Sequence, residues 1–169
     1  GLKSPVEFDS EEFKIYKFLR VLIKKHHKYA REVLMEVQSW IPYALQSEVY
    51  KIGRIILCGI DYLDLADKSV IWNTFNATLS DNIQDPQLCI ALIGGIISIW
   101  DLDNSLPLET PLRLFGEIWE SVDDDEEDIK EVVAKATLEI YAKSDQVHQI
   151  VPAIIHTVTI AICGCSDVA

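Results

Sequence analysis

The sequence predicts an all-α chain built as an α-solenoid of antiparallel helical hairpins, about three to four repeats long. Three observations carry this. Residues 49–64, 86–101 and 128–142 are versions of one another, each an apolar helix followed by an acidic turn. In register, Ile52, Ile55, Ile56, Gly59, Ile60 and Leu63 match Leu88, Ala91, Leu92, Gly95, Ile96 and Ile99, and these match Ile129, Val132, Val133, Ala136, Thr137 and Ile140, at offsets of 36 and 41 residues. A period near 40 with two helices per unit is that of a stacked array, in which each unit buries its apolar face only against its neighbours. Gly and Pro number only 7 and 6, too few for the turns of an all-β chain.

The elements follow in order. Residues 1–9 are expected to be a loose lead-in. Asp9 or Ser10 caps a first helix over 13–25, with Glu11 and Glu12 in the first turn, where the helix dipole favours anions. Its apolar stripe includes Tyr16, Leu19, Leu22 and Ile23, and the run Lys24-Lys25-His26-His27-Lys28 closes it with cations. Residues 31–46 form a second helix kinked at Pro42, and 48–65 the first of the related helices. Asp67 caps a helix over 68–79, whose Ile71, Phe75 and Leu79 share one face. Asp85-Pro86 is a sharp start, a capping carboxylate followed by Pro where its missing N–H costs nothing. Residues 101–107 link to Thr110-Pro111, read as a second start of that kind. An acidic turn over 122–128 precedes the third related helix. Ser144 or Asp145 caps a last helix to about Ile162, interrupted by Pro152, and 164–169 is a tail. Residues 10–163 are thus expected to be a single helical-repeat domain, and the initial Gly is expected of a fragment of a longer array.

Composition narrows the class. The chain has 169 residues, 49% hydrophobic, with net charge −12. Residues 1–60 carry 10 Lys/Arg and 7 Asp/Glu, a net of +3, whereas 61–169 carry 5 and 20, a net of −15. A chain so polarised presents two different regions to partners. The apolar runs 88–100 and 150–163 span 13 and 14 residues, short of the roughly 20 that a membrane span needs. Cys58 and Cys89 sit inside apolar helices, as reduced cysteines do, and no export signal is legible, so an intracellular site, nuclear or cytoplasmic, is expected. The sequon at Asn76 lies mid-helix and is read as incidental.

Pro42 and Pro152 lie 110 residues apart, near three periods, each within an apolar helix. With the repeat, these residues make the chain resemble the HEAT family over residues 30–163. That resemblance implies paired antiparallel helices, the first often bent at Pro and the second lining a concave surface. The family's Asp-then-Arg ladder is barely present: Ser47 with Arg54 fits it loosely, and Asp85 has Leu92 where a base belongs. Within the family, Pro42-Tyr43-Ala44-Leu45-Gln46-Ser47, then 53–63 and 86–101, resemble the layout of condensin G subunits. This implies a chromosome-organising complex, with a kleisin peptide and DNA as ligands. Nuclear transport receptors of the same architecture share most of the rest.

No catalytic grouping is legible. No glycine-rich phosphate loop, serine elbow or nucleophile–base pair occurs, so the chain is expected not to be an enzyme and to need no cofactor. His148, His156, Cys163 and Cys165 have the side chains of a zinc site, but the two histidines are eight residues apart, about 12 Å along a helix, and no metal is expected. The acidic run 123–128 lacks the order of a calcium loop and reads as a solvated turn, with docking of a basic partner as the lesser reading. The expected function is a scaffold that binds an extended or helical segment of a partner protein along its inner helices, through Lys51, Arg54, Asp61 and Lys135. A nucleic acid, if bound, falls to Lys24, Lys25, Lys28 and Arg31, although a solvated helix end is the favoured reading of that cluster. Of the four Trp residues, any that is exposed is a candidate contact. The alternative architecture is a closed bundle of the Bcl-2 type, with 88–100 as its enclosed central helix and a groove for an amphipathic peptide.

Overall fold

The computed structural model describes residues 5–144, with side chains from residue 14 onward, and four single positions beyond (Ile155, Thr159, Ile162 and Cys163). The helix expected at Pro152 and the histidines of the supposed metal site lie outside them. Every regular element among the described residues is helical. The order is α1 (Pro5–Lys25), α2 (Ala30–Gln38), α3 (Gln46–Gly59), α4 (Leu65–Asp81), α5 (Pro86–Leu102), α6 (Glu109–Ser121) and α7 (Glu127–Lys143), with short 3-10 turns at His27–Tyr29, Ile41–Tyr43 and Ile60–Tyr62. They fall into two compact units, Gly1–Thr74 and Phe75–Ala169, divided within α4.

In the first unit α3 packs on both α1 and α2. Its Ile52, Ile55 and Ile56 are fully buried, as are Ile23 of α1 and Leu34 of α2. Gly59 closes α3 where the three helices meet. A Cβ there would stand 3.0 Å from Ile23 Cγ2 and 3.0 Å from Leu34 Cδ1. In the second unit α7 packs on both α5 and α6, around Leu92, Ile96, Phe115, Ile118, Val133 and Ile140. Each unit therefore repeats one scheme: a helix rests on the helix before it and on the helix two before it.

The repeat read from the sequence recurs in the burial. Of the eighteen matched positions, only Leu88, Gly95 and Val132 are not buried, and these three are half-buried. The equivalent positions Gly59, Gly95 and Ala136 are all small. At Gly95 a Cβ would lie 2.4 Å from Cε1 of the buried Phe75 ring, so α5 passes α4 at a distance only glycine permits.

Several helix ends depart from expectation. α1 begins at Pro5, upstream of the caps expected at Asp9 or Ser10 and through the stretch read as a lead-in. Pro42 does not kink a helix but ends one. It cannot donate a backbone hydrogen bond and it disfavours helical backbone at Ile41. α2 stops at Gln38, and the chain turns through Ile41–Tyr43 to an extended Ala44. The Glu48 side chain then accepts from the Leu45 N–H at the start of α3 (3.3 Å). α3 itself ends at Gly59, and Ile60–Tyr62 tightens to 3-10. The cap of α4 is Asp64, whose Oδ1 accepts from the Asp67 N–H (2.9 Å), and not Asp67. Asp85 caps α5 as expected, accepting from the Leu88 N–H (3.2 Å) ahead of Pro86. Thr110 caps nothing: α6 starts at Glu109 after Leu108, and Pro111 is buried in its first turn. α7 follows Glu126 with no side-chain cap, so the acidic turn serves it through Glu127 and Asp128 in the first turn, where the dipole favours them.

Candidate functional site

Wherever α3, α5 and α7 bury the repeated positions, the intervening positions face outward and also repeat. On α3 the strip is Lys51, Arg54 and Cys58, continued by Asp61 in the 3-10 turn. Shifted by the same offsets it becomes Gln87, Ile90, Gly94 and Ile97 on α5, and Asp128, Glu131, Lys135 and Leu138 on α7. All twelve are exposed or half-buried. The four residues expected to contact a partner thus belong to these strips. Lys51 lies over the Tyr16 ring of α1 (5.6 Å), Arg54 and Asp61 are exposed, and Lys135 pairs with Glu131 (2.8 Å). That lysine holds the Glu131 carboxyl below its ordinary value, mainly by hydrogen bonding. Lys51, Arg54 and Asp61 share one strip at helical spacing; Lys135 stands in the other unit.

Along α5, Gln87, Gly94 and Asp101 are exposed at seven-residue spacing. Its remaining surface carries Ile93, Ile96 and Trp100 into the core.

Side chains also link helices two apart. Arg31 Nε of α2 donates to Asp67 Oδ2 of α4 (2.9 Å), 36 residues on. The Thr74 hydroxyl of α4 donates to Gln38 Oε1 of α2, again 36 residues apart. Lys143 of α7 pairs with Asp101 of α5 (3.4 Å), 42 residues back, and with Glu139 (2.8 Å). Burial and then Glu139 push the Asp101 carboxyl up, while the Lys143 hydrogen bond holds Glu139 down. In place of a ladder of Asp followed by Arg seven residues later, the links are one period apart, and Ser47 with Arg54 has no part in them.

Of the expected phosphate contacts, Lys24, Lys25 and Lys28 are exposed at the corner between α1 and α2. Arg31 is exposed but committed to Asp67, so the cluster offers three cations and not four. Aromatic rings stand among them. His27 stacks on Tyr62 at 4.1 Å, and Tyr29 lies under Lys28 Nζ at 5.0 Å. The helical spacing of Lys24–Lys28 was legible; the approach of Tyr62, 35 residues away, was not.

Among the tryptophans, Trp72 and Trp100 are buried, and Trp119 lies under Lys130 (5.5 Å). Trp40 is exposed at the turn after α2, beside Tyr43 (88% exposed) and Leu45 (68%). Asn76 and Thr78 are buried in α4, so the sequon is closed to modification in the fold. Burial and then Asp85 push the Cys89 thiol up to about 12, which removes it as a nucleophile at neutral pH. Lys130 pairs with Asp124 in the acidic turn (3.0 Å). Among the described residues no group of three or more His, Cys, Asp or Glu could hold a metal ion, and no helix is long and apolar enough to cross a membrane. Compared with protein-family models, with curated proteins and with solved structures, the chain matches none.

Proposed function

We propose that the chain is a solenoid scaffold that binds a segment of a partner protein along the outward strips of α3, α5 and α7. The observation that carries this reading is the period itself. Helices two apart are tied at Arg31–Asp67 and Gln38–Thr74, each 36 residues apart, and at Asp101–Lys143, 42 apart. Contacts at the repeat period between elements n and n+2 are the grammar of a stacked array; a closed bundle has no need of it. The three strips carry mixed charge and small apolar residues, Lys51 and Arg54 on α3 and Gly94, Lys135 and Leu138 on α5 and α7. A surface of that kind suits an extended or helical segment. The reading is non-catalytic and calls for no cofactor. A chromosome-organising setting is a proposal of the same order, carried by the condensin-like layout of 42–47, 53–63 and 86–101 alone.

The test is a photo-cross-linking map. A photoreactive residue at Arg54, Gly94 or Lys135 is expected to capture the partner in cells, and one at Asn73 or Arg113, exposed on α4 and α6, is expected not to. Capture at Asn73 and Arg113 alone would assign the binding surface to the opposite helices.

A further inference from the structure

The corner between α1 and α2 carries a second surface, which the scaffold reading does not use. α1 ends on Lys24 and Lys25, and the 3-10 turn His27–Tyr29 follows after a single residue. The three lysines of this corner are exposed, and none forms an ion pair with a described residue. The neighbouring cation, Arg31, is already neutralised by Asp67. Three clustered charges at a helix C-terminus are favoured by the dipole, which explains their placement but leaves them available to a polyanion.

The rings decide which polyanion. His27 and Tyr62 stack with planes 20° apart, and the Tyr62 hydroxyl meets His27 Nε2 at 3.0 Å. The pair is a platform that links the turn after α1 to the turn after α3, and Tyr62 is still half exposed. Tyr29 presents a second ring, edge-on to His26 and beneath the Lys28 ammonium. Cations and flat π-faces therefore alternate over a few residues. An acidic peptide would satisfy the lysines and leave the rings unused. A duplex offers phosphates, but its bases are stacked on each other and cannot lie on a tyrosine. A single strand offers both at once: phosphates for lysine and unstacked bases for aromatic faces.

We propose that this corner binds single-stranded nucleic acid, with Lys24, Lys25 and Lys28 on phosphates and with Tyr29 and the His27–Tyr62 platform stacked against bases.

Fluorescence anisotropy on the full chain tests this with four probes: an oligothymidylate of about 12 nucleotides, a duplex of equal length, inorganic polyphosphate and polyglutamate. The oligothymidylate is expected to bind at least tenfold tighter than each of the others, with a log–log salt slope of about −2, as three phosphates on a single strand require. Tyr29→Ala and Tyr62→Ala are each expected to weaken it by about 5- to 100-fold. Tyr62→Phe, which keeps the stacking face, should retain most of the binding. Charge reversal at Lys24 and Lys25 should abolish it, and Arg113→Glu, exposed on α6, should leave it unchanged. Circular dichroism of each variant reports folding, and Tyr29→Ala, which removes no hydrogen bond, carries the test if Tyr62→Ala loses helicity. Equal binding of polyphosphate, indifference to both tyrosines, preference for the duplex or for polyglutamate, or no binding at all would each overturn the proposal.

Discussion

Gly94 and Gly95 are adjacent on α5 and opposite in their surroundings. A Cβ at Gly94 meets nothing within 4 Å, whereas one at Gly95 meets the Phe75 ring at 2.4 Å. Glycine in a helix interior costs about 1 kcal/mol relative to alanine, so Gly94→Ala is expected to stabilise the protein by up to about that amount. Phe75 is fully buried, so Gly95→Ala overpacks the core and is expected to cost about 1–3 kcal/mol. Thermal unfolding followed by helicity separates the two. Equal and opposite neighbours on one helix are a sharp test, because propensity alone gives both substitutions the same sign. Arg31 teaches a related lesson at this scale. By sequence it is one more cation in a basic run; in the fold its guanidinium is committed to a carboxylate 36 residues away, a partner that no local pattern announces.

Between elements, the Asp101–Glu139–Lys143 group joins α5 to α7, and its two carboxyls shift in opposite senses. Glu139 is held down, so its contribution is present above the ordinary carboxylate range and is lost as pH falls through its folded value. Asp101 is pushed up, chiefly by burial, so its ionised form is disfavoured on folding and ionisation costs stability as pH rises. Asp101→Asn removes that cost while keeping a hydrogen-bonding side chain. The variant is expected to melt slightly higher than the parent at pH 7 and to match it below about pH 3, where Asp is almost wholly neutral in either state. A difference in melting temperature that is constant from about pH 3 to pH 7 would show that the carboxyl charge plays no part. The elements themselves were legible to different depths. The interiors of α3, α5 and α7 could be read because burial imposes one residue class at each repeated position. The starts could be read only where two signals coincide, as in Asp85-Pro86. Where two carboxylates stand three apart, as Asp64 and Asp67 do, either fits a cap by type. The structure gives the cap to Asp64 and the salt bridge to Asp67, a division set by α2 and not by the local sequence. Proline can either kink a helix or end it; Pro42 ends α2, and the exposed turn around Trp40, Tyr43 and Leu45 follows from that.

At the scale of the molecule, the charge polarity and the repeat lead to different surfaces. The repeat sets out the strips of α3, α5 and α7, which were legible as soon as the helices were placed in register. The nucleic-acid corner was half legible: its lysines lie together in the chain, but the ring that completes it arrives from Tyr62. The scaffold proposal rests on the helices behaving as successive layers, with α2 tied to α4 and α5 to α7 at the spacing of the period. Small-angle scattering of the whole chain in dilute solution addresses that most directly. A compact sphere of this length has a radius of gyration of about 15–16 Å. An open array is expected to exceed that value clearly, with a skewed pair-distance distribution and a long tail. A radius within the compact range and a symmetric distribution would contradict the solenoid and return the chain to a closed helical bundle.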